Sequence, residues 1–465
     1  MDVFEQVPGP RGSELETLAK TRKQPQRYRW FDQWLAARPG PLRALVDTTV
    51  DFVQHHEEHT GKRKRARRRK DHEQHLQRLE AIICNLAYAV LSPPLGGRIA
   101  VSLGHGNCGR TRYDCPVMGK LFSSTLDLLW SLDFLDVQSP SVVRGEVSSI
   151  AVSSWFASKV AEAHVSLADF DRRQDEEIVI LSRSNRSLRG KDGSVRKDRI
   201  DYAETKDTQR HRTNLRQLNA YLAAAAIDFL DDGLEPNVDP FERTMRRRFL
   251  IFSNQAQRFD QGGRLFGGFW QNLKSDRRKN IRIDGEATVV LDFSSMFTRL
   301  AYAHLGEKPP AGDLYSIPGF EDYRSGIKFA MNCFLFDGGA RKSWPTELRV
   351  GVGNDANDGD DGRTGNALQA HLPFGSTVAL VKQAILSVHP ALKSAWDRRL
   401  GYKLMFQESE IMMEVLSRLA ARNIPALCLH DGLIVAAPAA QISSEVMSSI
   451  AREHTGYDFP VCEKP

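Results

Sequence analysis

Cysteine is scarce: six in 465 residues, at positions 84, 108, 115, 333, 428 and 462. Scattered in this way, several of them inside apolar or helical runs, they offer no disulfide framework and point to a reducing cytoplasm. His105, Cys108 and Cys115 supply three candidate zinc ligands, but no fourth is evident, and a closed structural site takes four. Long apolar runs are missing as well. None approaches the roughly 20 residues that span a bilayer, and Met1 to Gln6 form no apolar signal core, so the sequence predicts a soluble protein with no membrane partner. Charge of a single sign is also lacking, since 64 Lys and Arg face 58 Asp and Glu for a net +6.

The excess that exists is concentrated. Lys62, Arg63, Lys64, Arg65, Arg67, Arg68, Arg69 and Lys70 place eight cations in nine residues. Such a run repels itself into an extended conformation and releases counterions on binding phosphate backbones. It reads as a nucleic-acid contact, with a solvated tail or a nuclear-localisation signal as the alternatives.

Length suggests about three domains. Pro8 to Gln26 is polar, and Arg27 to His56 carries a short helical pattern with Trp30, Phe31, Trp34 and Leu35. Leu76, Leu79, Ile82, Ile83, Leu86 and Val90 recur at helical spacing until Pro93-Pro94 stops them. A short strand over 98–103, a helix within 117–132 and a hairpin built from 134–137 and 146–152 follow. Helices followed by a β-wing look like a winged helix, which lays a helix in the major groove; a generic α+β platform is the plainer alternative. From Ile178 to Asp232 the pattern gives an apolar strand, a Gly/Arg-rich turn at 189–193 and a helix carrying Leu215, Leu218, Leu222 and Ile227.

Two apolar segments each deliver a carboxylate at the end of an expected buried strand: Thr288 to Ser294 with Asp292, and Ala426 to Val435 with Asp431. A lone Asp at a strand end is ordinarily a turn former or a helix cap. Two of them on separate strands of a rigid sheet suit phosphoryl transfer, in which a pair of cations clamps the attacking and leaving oxygens. Between them, Arg324, Lys328 and Phe336 fall along one helical stripe. Two cations followed by an aromatic suit an incoming nucleotide, the cations meeting its triphosphate and the ring lying near its base. A solvated helix with a core phenylalanine shares the pattern.

The order of these parts resembles the family A DNA polymerases, the group of bacterial DNA polymerase I, and more distantly the phage single-subunit RNA polymerases. Asp292-Phe293-Ser294-Ser295, with Arg299 and Ala303-His304-Leu305, looks like the family's first palm motif. Asp313-Leu314-Tyr315 resembles the short step after it, Arg324-x3-Lys328-x7-Phe336 the fingers-helix motif, and His430-Asp431 the last palm motif. Gly263-Arg264-Leu265 is similar to a segment whose arginine approaches primer and template. The resemblance covers residues 262–437, well under half of the chain. It implies an α/β (α+β) fold, with a palm sheet and helical fingers over 262–465. A connecting or thumb-like region over 178–261, a mainly helical candidate winged-helix domain over 75–177 and an N-terminal segment with the basic arm over 1–74 precede it.

By that resemblance, Asp292 and Asp431 hold two Mg²⁺, or Mn²⁺, with the Phe293 carbonyl as a further oxygen ligand. Lys328 faces the triphosphate as charge stabiliser or general acid, Arg324 grips the phosphates, and Phe336 stacks near the templating site. Asn332 joins the nucleotide-binding helix. Arg264, His430 and Gln407, which heads the helix through Ile411, Val415, Leu416 and Leu419, meet the primer-template. Departures from the family bear on the substrate. Gly432 stands where DNA polymerases have Glu and RNA polymerases Ser. Phe297 replaces a Glu or a small residue and would exclude a ribose 2′-hydroxyl, while Phe336 lacks the hydroxyl of the family's Tyr.

The expected activity is template-directed addition of deoxynucleotides to the 3′-hydroxyl of a DNA primer-template, in the DNA replication of a phage or plasmid. Asp175-Glu176-Glu177 lies in a polar run, unlike the strand-borne carboxylates of a proofreading exonuclease, so none is expected. A primase or single-subunit RNA polymerase on the same core is the enzymatic alternative. A non-catalytic DNA-binding replication initiator is the alternative from another class. Val350 to Asn366, with Asp355, Asp358, Asp360 and Asp361, reads as a mobile surface loop rather than a calcium loop.

Overall fold

The computed structural model describes residues 29–61, 63, 65–103, 111–139, 147–189, 195–252, 255–337, 342, 344, 372–373 and 375–464. Lys62, Lys64, His105, Cys108, most of the 189–193 turn and the 350–366 loop lie outside them. The chain forms two compact units. The first runs to Gln174 without Thr111–Tyr113; the second comprises those three residues and everything from Asp175 onward.

The first unit contains β1 (Arg29–Trp30), β2 (Leu35–Ala37), α1 (Pro41–His59), α2 (Arg69–Leu91), β3 (Ile99–Ala100), α3 (Phe122–Ser131), β4 (Leu135–Gln138), β5 (Ser149–Val152), α4 (Ser154–Glu162) and β6 (Phe170–Arg172). Its main sheet has the order β1-β3-β5-β4, and β2 pairs with β6. The helical reading of 27–56 is corrected here: the aromatic cluster lies around the two short strands β1 and β2, and the helix begins only at Pro41. Proline suits a first helical turn, where its missing N–H costs no hydrogen bond. In α2 the expected apolar stripe buries Leu79, Ile82, Ile83 and Leu86, and the helix ends at Leu91, ahead of the two prolines. Of the basic run, Arg63, Arg65 and Arg67 to Lys70 are described, and Arg68 keeps an extended backbone. Arg67 pairs with Glu57 at 2.6 Å, Arg63 with Glu58 at 2.5 Å, and Arg69 and Lys70 open α2. The carboxylates closing α1 supply counter-charge to Arg63 and Arg67.

The second unit contains β7 (Val179–Arg189), β8 (Val195–Arg199), α5 (Lys206–Ala224), β9 (Ile227–Phe229), β10 (Met245–Phe252), β11 (Gly262–Gly267), β12 (Ile281–Ile283) and β13 (Glu286–Phe293). After these come α6 (Met296–Leu305), α7 (Arg324–Asp337), α8 (Val378–Val388), α9 (Leu392–Asp397), α10 (Gly401–Ala420), β14 (Ala426–Leu429), β15 (Gly432–Ala436), α11 (Ala440–Thr455) and β16 (Val461–Lys464). The helix expected to include Ile227 stops at Ala224, and Ile227 belongs to β9. One sheet has the order β11-β10-β7-β8. The other runs β14-β15-β13-β12-β9, with β16 also on β13. This mixed architecture of helices and sheets is of the α/β (α+β) class.

Helix α10 packs on β11, β14, α6 and α11. It buries Leu404, Ile411, Met412, Val415, Leu416 and Leu419 at helical spacing, each fully buried aliphatic side chain contributing about 1.5–3 kcal/mol. Strands β14 and β15 are almost wholly buried, which explains their unbroken apolar runs. Residues 111–113 complete the other sheet: the Tyr113 hydroxyl accepts from the Leu181 N–H at 2.9 Å, and the Arg112 guanidinium binds Asp201 at 2.7 Å.

Candidate active site

Asp292 is the penultimate residue of β13, and Asp431 sits in the two-residue turn between β14 and β15. Because β13 and β15 are antiparallel neighbours with Asp292 opposite Gly432, the fold brings the two carboxylates to one end of one sheet. The Phe293 N–H donates to the Asp431 carbonyl at 3.3 Å and ties the turn to the strand. His430 takes φ 58° in that turn. Gly432 is required by close approach: a Cβ there would stand 2.7 Å from the Leu291 carbonyl and 2.9 Å from Asp292 Oδ1.

Asp292 is 9 % exposed. Burial, then the charge of Asp431, pushes its carboxyl up to about 6 against the opposing pull of Lys464 and Lys328. The Lys464 ammonium lies 2.5 Å from Asp292 Oδ2. The sequence reading missed this lysine, which β16 delivers from 172 positions downstream by pairing with β13.

Helix α7 carries the expected nucleotide-binding stripe. Lys328 is exposed, and its charge is felt at Asp292. Arg324 pairs with Asp313 at 2.5 Å and lies over the Tyr315 ring at 5.1 Å, joining two segments that the sequence suggested separately. Asn332 is half-buried, and its Oδ1 has no hydrogen-bond partner among the described residues. The Phe336 ring meets those of Phe297 at 5.6 Å and Tyr402 at 5.0 Å, over a Gly401 whose Cβ would lie 2.6 Å from it. Phe297 itself is 8 % exposed, with the Arg264 guanidinium 5.2 Å from its ring centroid.

Arg264 holds Glu408 through two hydrogen bonds of 2.8 and 2.9 Å. Glu408 is fully buried, and burial raises its carboxyl to about 7, with the Arg264 charge opposing the rise. Beside this pair, buried Arg247 donates to the Gly263 carbonyl at 2.8 Å, Ser409 Oγ at 2.8 Å and Glu410 at 2.5 Å. Gly263 has φ +83°, and a Cβ there would stand 2.7 Å from Ser409 Oγ. These contacts clamp β10 and β11 onto α10. That helix starts at Gly401, so Gln407, expected to head it, lies half-buried near the end of its second turn.

The clamp frames a groove of about 460 Å³ whose lining includes Lys197, Arg199, Arg248, Arg264, Phe266, Tyr402 and His430, with no carboxylate among its described lining residues. His430 meets Phe266 edge-on at 5.6 Å, so the groove runs from the face of the β7-β8-β10-β11 sheet to the turn that carries Asp431. In the first unit, by contrast, α3 holds no Lys or Arg and exposes Leu121, Asp127 and Trp130 at or beside its outer face. Glu176 and Glu177 are ion-paired, with Arg246 at 2.6 Å and Arg212 at 2.9 Å.

No family model matches the sequence. No curated protein matches it either. Among solved structures, the chain is similar to the POL domain of Pol1 from M. smegmatis, determined in complex with DNA primer-template and dNTP. The alignment has 10 % identity and a TM-score of 0.29, and covers 92 % of this chain and 66 % of that one. The chain thus spans slightly under two thirds of that structure's length. A TM-score this low fixes no common fold. No helix among the described residues is long and apolar enough to cross a membrane.

Proposed function

We propose that the chain is a template-directed nucleotidyltransferase that extends the 3′-hydroxyl of a primer, with deoxynucleotides and a DNA primer-template as the favoured substrates. The observation that carries the reading is the convergence of Asp292 and Asp431 on adjacent strand ends, with Lys328 of α7 in electrostatic reach. Two neighbouring carboxylates raise each other's cost of ionisation, so the ionised pair calls for a cation. Hard oxygen donors suit Mg²⁺, which is commonly held by one or two carboxylates and completes its shell with water and substrate phosphates. The described residues include no group of three or more acidic, His or Cys side chains fit to hold a metal.

Asp292 and Asp431, with the Phe293 carbonyl, are the groups that would hold two such ions. Bound there, the ions supply charge neutralisation and a more acidic attacking hydroxyl. The protein's own part is placement and charge. Lys328 meets the triphosphate, and Arg324, oriented by Asp313, extends that positive field. Phe336 packs beside the nucleotide, seated on Phe297 and Tyr402. The cationic groove leads the strand toward His430 and the aspartate pair, its charges neutralising phosphates and Phe266 and Tyr402 offering faces to bases.

Primer extension tests the proposal. With a labelled primer on a DNA template and Mg²⁺ or Mn²⁺, deoxynucleotides are incorporated by the wild type, and Asp292→Asn and Asp431→Asn each reduce incorporation to background. Extension with ribonucleotides alone would transfer the chain to the RNA-synthesising alternative. No extension with either, beside DNA binding unchanged by both substitutions, would remove the enzyme and leave a DNA-binding initiator.

A further inference from the structure

Lys464 stands on the aspartate pair for reasons that do not depend on its own charge. Strand β16 is antiparallel to β13, with Cys462 opposite Asp292 and Lys464 opposite Val290, which places Lys464 diagonal to Asp292. Two further contacts fix the strand. The Ser294 N–H donates to the Pro460 carbonyl at 2.8 Å, and Phe459, 1 % exposed, packs edge-on against Phe293 at 6.2 Å. The aliphatic stem of Lys464 is then carried to the carboxylate by strand geometry. Its ammonium reaches Asp292 Oδ2 at 2.5 Å while the side chain remains half exposed.

The second cation near Asp292, Lys328, belongs to α7, and the facing carboxylate is Asp431. An acidic pair that lacked a resident cation would repel itself; here one ammonium already occupies an oxygen of the pair. We infer that Lys464 is the built-in counter-ion of this site, and that it competes with divalent cations for Asp292 and so sets the concentration of free metal at which the site fills. The inference rests on the metal-binding reading of Asp292 and Asp431 given above. Its half-exposed side chain gives the ammonium a path into solvent when a divalent ion takes the carboxylate, and the Phe459 anchor keeps β16 in place when it leaves.

The test is direct binding of Mn²⁺ to the full chain without nucleotide or nucleic acid, read as loss of the free-ion signal in electron paramagnetic resonance. Lys464→Met keeps length and removes charge. It is expected to bind Mn²⁺ at least about 5-fold more tightly than wild type, the factor that an ion pair keeps even at water-like screening. Lys464→Arg is expected to stay close to wild type, and Asp292→Asn to lose the binding. Equal affinity in Lys464→Met and wild type, with Asp292→Asn still deficient, would overturn the role of Lys464 and leave the aspartates as the metal site. Equal affinity in Asp292→Asn and wild type would overturn the metal site itself. Thermal melting of each variant, expected to match wild type within a few degrees, separates these outcomes from unfolding.

Discussion

Gly432 illustrates how a single residue sets the active end of the sheet. The motif comparison gave no reason for glycine after His430-Asp431, yet any side chain there collides with the carboxylate it would flank. Gly432→Ala must push β15 off β13 or turn Asp292 away, at a cost typical of overpacking, about 1–3 kcal/mol. The expected result is a fall in primer extension of at least about tenfold, the equivalent of roughly 1.4 kcal/mol, in a protein that still melts cooperatively; full activity would show that Asp292 tolerates displacement. The placement of Asp292 and Asp431 was legible because each ends an apolar run, and strand periodicity announces such runs. Glu408 was illegible: a carboxylate beside Gln407 and Glu410 on a helix reads as surface, and only the fold reveals Arg264 across from it. Lys464 was illegible for a similar reason, since no local pattern encodes which strand β16 will join.

Among the elements, helices α2, α5 and α7 and the β4-β5 hairpin could be read from spacing, because each carries its periodicity within one segment. Sheet β11-β10-β7-β8 could not. Its cations alternate with inward residues, and Lys197 and Arg199 of β8 lie about fifty positions before Arg248 of β10, so the three form a patch only once Arg248 pairs opposite Arg264 and Ile180. Replacing all three by Gln should weaken binding of a labelled single strand without regard to its sequence. The slope of log affinity against log salt should shrink by about 2, since each lost phosphate contact on a single strand removes about 0.7. An unchanged slope would move the nucleic-acid path away from this sheet.

For the whole molecule, acid sensitivity follows from buried histidines in both units, His75 in the first and His211 and His389 in the second. Burial, reinforced by Arg67, lowers His75 to about 4; burial, reinforced by Arg247, lowers His211 to about 4. Both rings are therefore neutral in the fold and ionise more readily once unfolded, near the ordinary value of 6.5. The histidines' share of the stability is full above 6.5 and falls as pH drops from there toward 4, because the unfolded chain binds the extra protons, while the raised carboxyls of Asp292 and Glu408 act in the opposite sense. Each group contributes on the order of 1–3 kcal/mol to that fall. The urea midpoint of His211→Gln, taken relative to wild type, should rise between pH 7.5 and pH 5, because the variant lacks the proton-linked loss at that ring; an offset that does not change with pH would place the acid sensitivity elsewhere. The assignment of Thr111–Tyr113 to the second unit has a consequence for how this chain is made. A growing chain produces those three residues more than sixty positions before β7, so the hydroxyl that accepts from Leu181 waits for its strand, and a gene fragment opening at Asp175 encodes a sheet without it.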